Sequence, residues 1–174
     1  MSNPSFVHLR LHTEYSITDS VLRIDEAVGA AFVDGMPALA ITDLANMFGM
    51  VKFYKAARAA GIKPIIGCDV WITNEAERDK PCRALLLAQS HAGYLRLSEL
   101  LSRAWLENQH RGRGEINRRW FEAGSEGLIC LSGAQHGEIA AAALQGSAEP
   151  GRHLAKAWAD LFPGRFYLEI QRAG

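Results

Sequence analysis

Several signatures are missing from this chain of 174 residues, and each absence excludes something. The three cysteines, Cys68, Cys82 and Cys130, are odd in number and form no C-x-x-C pair. That excludes a paired zinc ribbon and a disulfide framework, and it points to a reducing compartment. No apolar run approaches the ~18 residues needed to span a bilayer. The opening MSNPSFVHLR has no apolar signal core, so a cytoplasmic protein with no membrane association is expected. Charge of one sign is also lacking. Lys plus Arg and Asp plus Glu both number 19, so net charge gives no argument for nucleic-acid binding. There is no glycine-rich phosphate loop, and the serine of LSG at 131–133 has no nucleophile elbow around it.

What the chain does have is alternation. Phe6 to Leu11 reads as a strand, with Val7, Leu9 and Leu11 on one face and His8 and Arg10 on the other. Ile24, Ala27, Val28, Ala31 and Phe32 recur with helical spacing, with Asp19 or Ser20 in place to cap the start and Gly35 to end it. The run ALAIT (38–42) suits a strand buried on both faces. A second helix is expected from Met50 to Ala60, and KPIIGCDVWIT (63–73) is the next strand. A charged loop (74–81), a strand at ALLLA (84–88) and a helix through Tyr94, Leu97, Leu101 and Trp105 follow. GLICLS (127–132) is a strand, EIAAAALQG and HLAKAWADLF (153–162) are helices, and RFYLEIQ (165–171) is the last strand. Strand–helix alternation with short links means a parallel α/β architecture, either an open doubly wound sheet or a barrel. His8, Arg10 and His12 in a row on one strand favour the barrel, whose carboxyl mouth accommodates polar side chains. Only about six strands are legible and the text stops just after one, so the chain reads as the N-terminal piece of something longer.

Polar residues gather at the expected strand ends: His8, His12, Asp19, Asp43 and Asp69, with Ser132 and Glu169 further on. Histidines and carboxylates from successive loops are what a two- or three-metal hydrolytic site requires. Arg10 argues the other way. A guanidinium is always charged and coordinates no cation, so between His8 and His12 it repels a divalent metal and suits a salt bridge to Asp43 or Asp69. Asp69 is the least easily dismissed, because strands disfavour Asp. The basic stretch NQHRGRGEINRRW (108–120) has no aromatic interleaving for base stacking and reads as a solvated connecting loop.

The segments FVHLRLHTEYSITDS, PALAITDLANMFGMVKFYKAARAAGIKPIIGCDVWI and GLICLSGAQHGEI resemble the PHP (polymerase and histidinol phosphatase) domain. More narrowly, they resemble the N-terminal PHP domains of bacterial replicative DNA polymerase III alpha subunits of proteobacterial type. The resemblance covers residues 1–174 and implies a distorted (βα)7-type barrel, incomplete here. It also implies a place in DNA replication, as part of a DNA-directed DNA polymerase, a nucleotidyltransferase that uses Mg²⁺. In the metal-binding members a cluster at the barrel mouth serves phosphoesterase or 3′–5′ exonuclease chemistry.

Carried over position by position, the resemblance makes His8, His12, Asp19, Asp43 and Asp69 vestigial metal ligands. Arg10, Leu44, Arg83, Ala134 and Ala173 stand where the family has ligands. The pattern implies no catalytic residue and no dedicated cofactor in this domain, with residual Zn, Mn or Mg binding as the remnant. It further implies Arg10 and Arg83 pairing with Asp19, Asp43 or Asp69. The implied partners are the epsilon proofreading exonuclease subunit, the remainder of the polymerase chain and replisome, and DNA through the parent protein. The alternative is a working metal-dependent phosphoesterase or 3′–5′ exonuclease of the same family.

Overall fold

A computed structural model of the chain describes residues 6–144 and 148–171. The fold is α/β, and the chain divides into two compact units, Met1–Cys68 and Asp69–Gly174. No helix among the described residues is long and apolar enough to cross a membrane.

In the first unit, α1 (Ile24–Val33), β1 (Ala38–Ile41) and α2 (Met50–Ala59) precede β2 (Lys63–Ile72), whose first residues pair in parallel with β1 from Ala38↔Lys63 to Ile41↔Ile66. The core gathers Ile24, Ala27, Val28 and Ala31 of α1, Leu39 and Ile41 of β1, Phe53 and Ala57 of α2, and Ile62. Burying Phe53 alone removes enough apolar surface to contribute ~2–3 kcal/mol. Both helices end on a left-handed glycine. Gly35 (φ 66) follows α1, and the Met36 amide reaches back to the Ala31 carbonyl. Gly61 (φ 76) follows α2, and the Ile62 amide reaches Ala57. This closure satisfies carbonyls the helix leaves unpaired, and only glycine takes that conformation without steric cost. Neither Asp19 nor Ser20 caps α1. Its N-cap is Arg23, without a side-chain hydrogen bond, and the Ser20 hydroxyl is spent on the His12 carbonyl and the Leu22 amide.

The expected strand at Phe6–Leu11 does not form. The segment does lie alongside β1, with Ala40 N donating to His8 O and Thr42 N to Leu11 O. Between these two bonds Leu9 and Arg10 thus stand opposite the single residue Ile41, and the backbone bends at Leu9. One extra residue of this kind breaks the period-two alternation. His8, Arg10 and His12 therefore do not share a face as a regular strand would require.

The second unit has strand order β4-β5-β2-β3-β6-β7. The elements after β2 are β3 (Cys82–Ala88), α3 (His91–Glu107), β4 (Gln109–His110), β5 (Arg113–Ile116), β6 (Leu128–Leu131), α4 (Glu138–Ala143), α5 (Ala148–Leu161) and β7 (Phe166–Tyr167). An aromatic cluster gathers around α5: the Phe121 and Phe162 ring centroids are 5.0 Å apart, and Phe166 stacks on Trp158 of α5 at 6.2 Å.

The sheet is mixed rather than parallel. β1/β2, β2/β5 and β6/β7 are parallel, whereas β3/β6 and β4/β5 are antiparallel. A parallel neighbour needs a crossover of about a dozen residues, usually a helix, and residues 73–81 contain none. In place of the expected solvated loop at 108–120 there is a β4–β5 hairpin followed by a 3-10 turn, Arg118–Ala123. Arg111 (φ 49) and Gly112 (φ 75) make its tight turn, in the positive-φ pair that matches strand twist. The last strand keeps only Phe166 and Tyr167 of the expected 165–171.

Candidate functional site: two sets of buried polar side chains

In the first unit the site is built on the carboxyl end of β1. Thr42 follows the strand, and its hydroxyl accepts from Leu11 N at 2.8 Å and donates to Leu11 O at 3.2 Å. Next comes Asp43, which is buried. Its carboxylate accepts from Thr13 N at 2.5 Å, Thr13 Oγ1 at 2.9 Å and Ser16 Oγ at 2.8 Å. Three donors occupy most of the lone-pair directions a carboxylate has. The Ser16 hydroxyl also accepts from Leu44 N, and Asn46 Nδ2 donates to Tyr15 O. Asp43 thus staples the 13–16 loop to the end of β1, and Leu44 contributes its backbone to the same knot.

His12 and Asp19 are brought together, Nδ1 to Oδ2 at 3.0 Å. His8 is exposed, and its ring meets Phe6 edge-on at 4.7 Å. Arg10 is half-buried. Between His12 and Asp19 the chain makes a tight turn in which Thr18 N donates to Ser16 O at 2.6 Å. Its central residue, Ile17, has φ 64 and ψ −54, close to the strained γ-turn geometry, and it is 79% exposed.

The second unit has its own set. Asp69 is fully buried, with Arg83 Nη1 3.4 Å from its Oδ2. The Arg83 guanidinium also lies over the Trp71 ring at 4.4 Å, and Arg113 is 5.5 Å from the same ring. Trp71 pairs with Glu115 across the β2/β5 ladder. Glu115 is fully buried, with Arg78 Nε at 3.1 Å and Arg113 Nη2 at 3.6 Å. Arg78 continues to Asn108 Oδ1 at 2.6 Å, and Asn108 Nδ2 donates to Thr73 Oγ1 and to Glu115 O. Two buried carboxylates and three guanidiniums are thereby stitched around one indole. Sequence reading missed Glu115, Arg113 and Arg78 because the hairpin that carries two of them went unrecognised. The argument that singled out Asp69, an acid inside a strand, applies equally to Glu115.

Ala134 is buried at the start of a 3-10 turn, with φ 46. Before it, Gly133 presses on β3, where an added Cβ would come within 2.1 Å of Arg83 O. Ser132 Oγ accepts from Glu169 N at 3.0 Å, while the Glu169 carboxylate accepts from Gln171 Nε2 at 3.3 Å. Ala173 lies outside the described residues. Burial pushes the Cys82 thiol up to about 11, with Glu138 adding to the effect, and raises Cys130 as well. Neither is poised as a nucleophile.

The donor chemistry does not fit a metal cluster. A ligand carboxylate must offer lone pairs, and Asp43 has given three to hydroxyl and amide donors while a cation faces Asp69. Among the described residues no three His, Cys, Asp or Glu side chains are grouped to hold an ion. The arginines of 108–120 likewise face carboxylates: Arg111–Asp79, Arg113–Glu115, Arg118–Glu138 and Arg119–Glu75.

A strand-end aspartate behind a His-x-Arg-x-His segment, in an α/β chain, places the protein in a class. It belongs to the PHP domain family, whose pattern matches residues 8–173. Within that class it is similar to DNA polymerase III subunit alpha. The Neisseria meningitidis serogroup A protein is 50% identical over 174 residues, covering 99% of this chain and 15% of that protein. The Escherichia coli K12 protein is 38% identical over 174 residues, covering 100% and 15%. The chain therefore spans about 15% of the length of these curated relatives. Among solved structures, an amidohydrolase from Chromobacterium violaceum is 21% identical with a TM-score of 0.46, covering 56% of this chain and 32% of that one.

Proposed function

We propose that the chain is the N-terminal PHP region of a replicative DNA polymerase III alpha subunit and acts in DNA replication as a scaffold, with no hydrolytic activity of its own. In this reading it stabilises the polymerase chain and docks the epsilon proofreading exonuclease subunit in the cytoplasm. DNA and the rest of the replisome are met through the longer protein, whose nucleotidyl-transfer centre uses Mg²⁺. The observation that carries the reading is the pairing of Asp69 with Arg83, which stands at a ligand position of the family. A cation supplied by the chain takes the place of one supplied from solution. The three hydrogen bonds to Asp43 support the same view. His8, His12, Asp19, Asp43 and Asp69 are then remnants able to hold at most one Zn, Mn or Mg ion loosely, and no residue is catalytic.

A second reading, a metal-dependent phosphoesterase or 3′–5′ exonuclease, is favoured by one contact only, His12 with Asp19 at 3.0 Å. Hydrolysis of a generic phosphate ester and of single-stranded DNA, with Mn²⁺, separates the two. The scaffold reading expects the parent and His12→Ala to share one background rate. A Mn²⁺-dependent rate that His12→Ala abolishes would establish the hydrolase instead.

A further inference from the structure

The positive charges of the chain are matched unevenly. In the second unit every described lysine and arginine faces a carboxylate, except Arg165, which serves the carbonyls of Ser125 and Leu128. In the first unit Lys52 of α2 pairs with Glu14 at 3.0 Å, but Lys55 and Arg58 on the same helix, like Arg23 and Lys63 elsewhere in the unit, have no carboxylate among the described residues. The helix MVKFYKAARA has no acidic residue at all. Lys55 and Arg58 are three apart, so they are neighbours on one face. One turn earlier on that face stand Val51 and Tyr54, 57% and 51% exposed, while Phe53 and Ala57 fill the core on the other side. A surface helix ordinarily turns polar residues outward. Here an aliphatic and an aromatic side chain lie exposed beside two uncompensated cations.

We propose that the outward face of α2, formed by Val51, Tyr54, Lys55 and Arg58, docks an acidic segment of a protein partner that carries apolar anchors. The partner's carboxylates complete the ion pairs that Lys55 and Arg58 lack, and its apolar side chains cover Val51 and Tyr54. Tyr is enriched at such anchors because it offers broad contact area at low entropy cost. A nucleic-acid backbone fits less well. Such binders neutralise several phosphates, about 6–10 in strong cases, whereas this face offers two cations and exposes apolar surface that a phosphate chain would not cover. The identity of the partner rests on the reading above, in which the proofreading exonuclease subunit docks on this region.

The test uses the full-length chain carrying these residues and the purified exonuclease subunit of the same organism, with affinity measured by fluorescence anisotropy over a range of salt. A Lys55→Glu/Arg58→Glu pair is expected to weaken binding at least about ten-fold and to flatten its salt dependence. Tyr54→Ala should weaken it at constant salt slope. Lys55→Arg/Arg58→Lys should restore affinity, and Lys156→Glu should change nothing. Because these side chains are exposed, unchanged melting will separate lost docking from lost folding. If the parent chain binds the exonuclease and the charge-reversed pair binds it equally well, the α2 proposal falls while exonuclease docking stands. If the parent does not bind it, both fall. Loss of affinity for a primed DNA duplex with unchanged exonuclease binding would assign the face to nucleic acid and overturn the proposal.

Discussion

Arg83 Nη1 lies 3.4 Å from Asp69 Oδ2, with Asp69 fully buried and the same guanidinium held over Trp71 at 4.4 Å. The indole holds the plane of the cation, and the cation offsets the cost of burying a carboxylate. The pair links strands β2 and β3 and extends a polar network that runs on through Arg113 and Glu115.

Removing one member of such a pair should cost more than removing both. Arg83→Met strands the buried Asp69 charge and is expected to lower stability by ~3 kcal/mol. Arg83→Met/Asp69→Leu should recover at least half of that loss. Chemical denaturation of the three proteins decides it. A double variant at least as unstable as the single would mean that the pair is not the source of the cost.

Asp43 should be a stability residue. Asp43→Ala leaves Thr13 N, Thr13 Oγ1 and Ser16 Oγ without their acceptor in a buried site, at a cost of about 3 kcal/mol or more. Asp43→Asn keeps the volume but loses the charge and should cost roughly half as much. A melting curve for Asp43→Ala that overlays the parent would contradict the staple assigned to this side chain.

Ile17 sits in a backbone conformation that a β-branched residue adopts only under strain, worth ~1–3 kcal/mol. Its side chain is exposed, so little packing is lost on truncation. Ile17→Gly is expected to raise stability by about 1 kcal/mol after the entropy penalty of glycine. Exposed Val21→Gly serves as the comparison and should not stabilise. Equal destabilisation by both would show that the turn holds no strain.

The hairpin tip should report on pH. The hydrogen bond from His110, helped by the positive charge of Arg111, holds the Asp79 carboxyl below its ordinary value. A lowered folded-state pKa means that the contact stabilises the fold above the ordinary carboxylate range and loses that contribution as pH falls below about 4. An NMR titration of the Asp79 carboxyl should give a midpoint below the usual aspartate value, and His110→Ala should move it upward. A midpoint that His110→Ala leaves unmoved would rule out the hydrogen bond as the cause.

Much of the helical framework could be read from the text, because α1, α2 and α3 combine a clear apolar stripe with glycine or asparagine at their ends. Legibility ended where geometry depends on partners far along the chain. The register slip at Leu9, between His8 pairing with Ala40 and Leu11 pairing with Thr42, has no local signal, so the shared face of His8, Arg10 and His12 was a reasonable inference that the backbone cancels. The β4–β5 hairpin hid inside a basic run because its turn, Arg111-Gly112, lacks the usual Asn or Asp. Asp69 was conspicuous as an acid in an apolar strand. Glu115 carried the same information but could not be weighed until its strand was known. The hydroxyl donors on Asp43, Thr13 and Ser16, stand in HTEYS, but nothing local in that stretch pairs them with an aspartate far along the chain.

The most direct test of the scaffold account is calorimetric titration of the chain with Mn²⁺ and with Zn²⁺ at neutral pH. With Arg83 beside Asp69 and three donors on Asp43, the account predicts no more than one weakly bound ion, and little change in that isotherm for Asp69→Asn. Tight binding of two or more ions, lost together in Asp69→Asn and His12→Ala, would contradict it and identify a working metal centre.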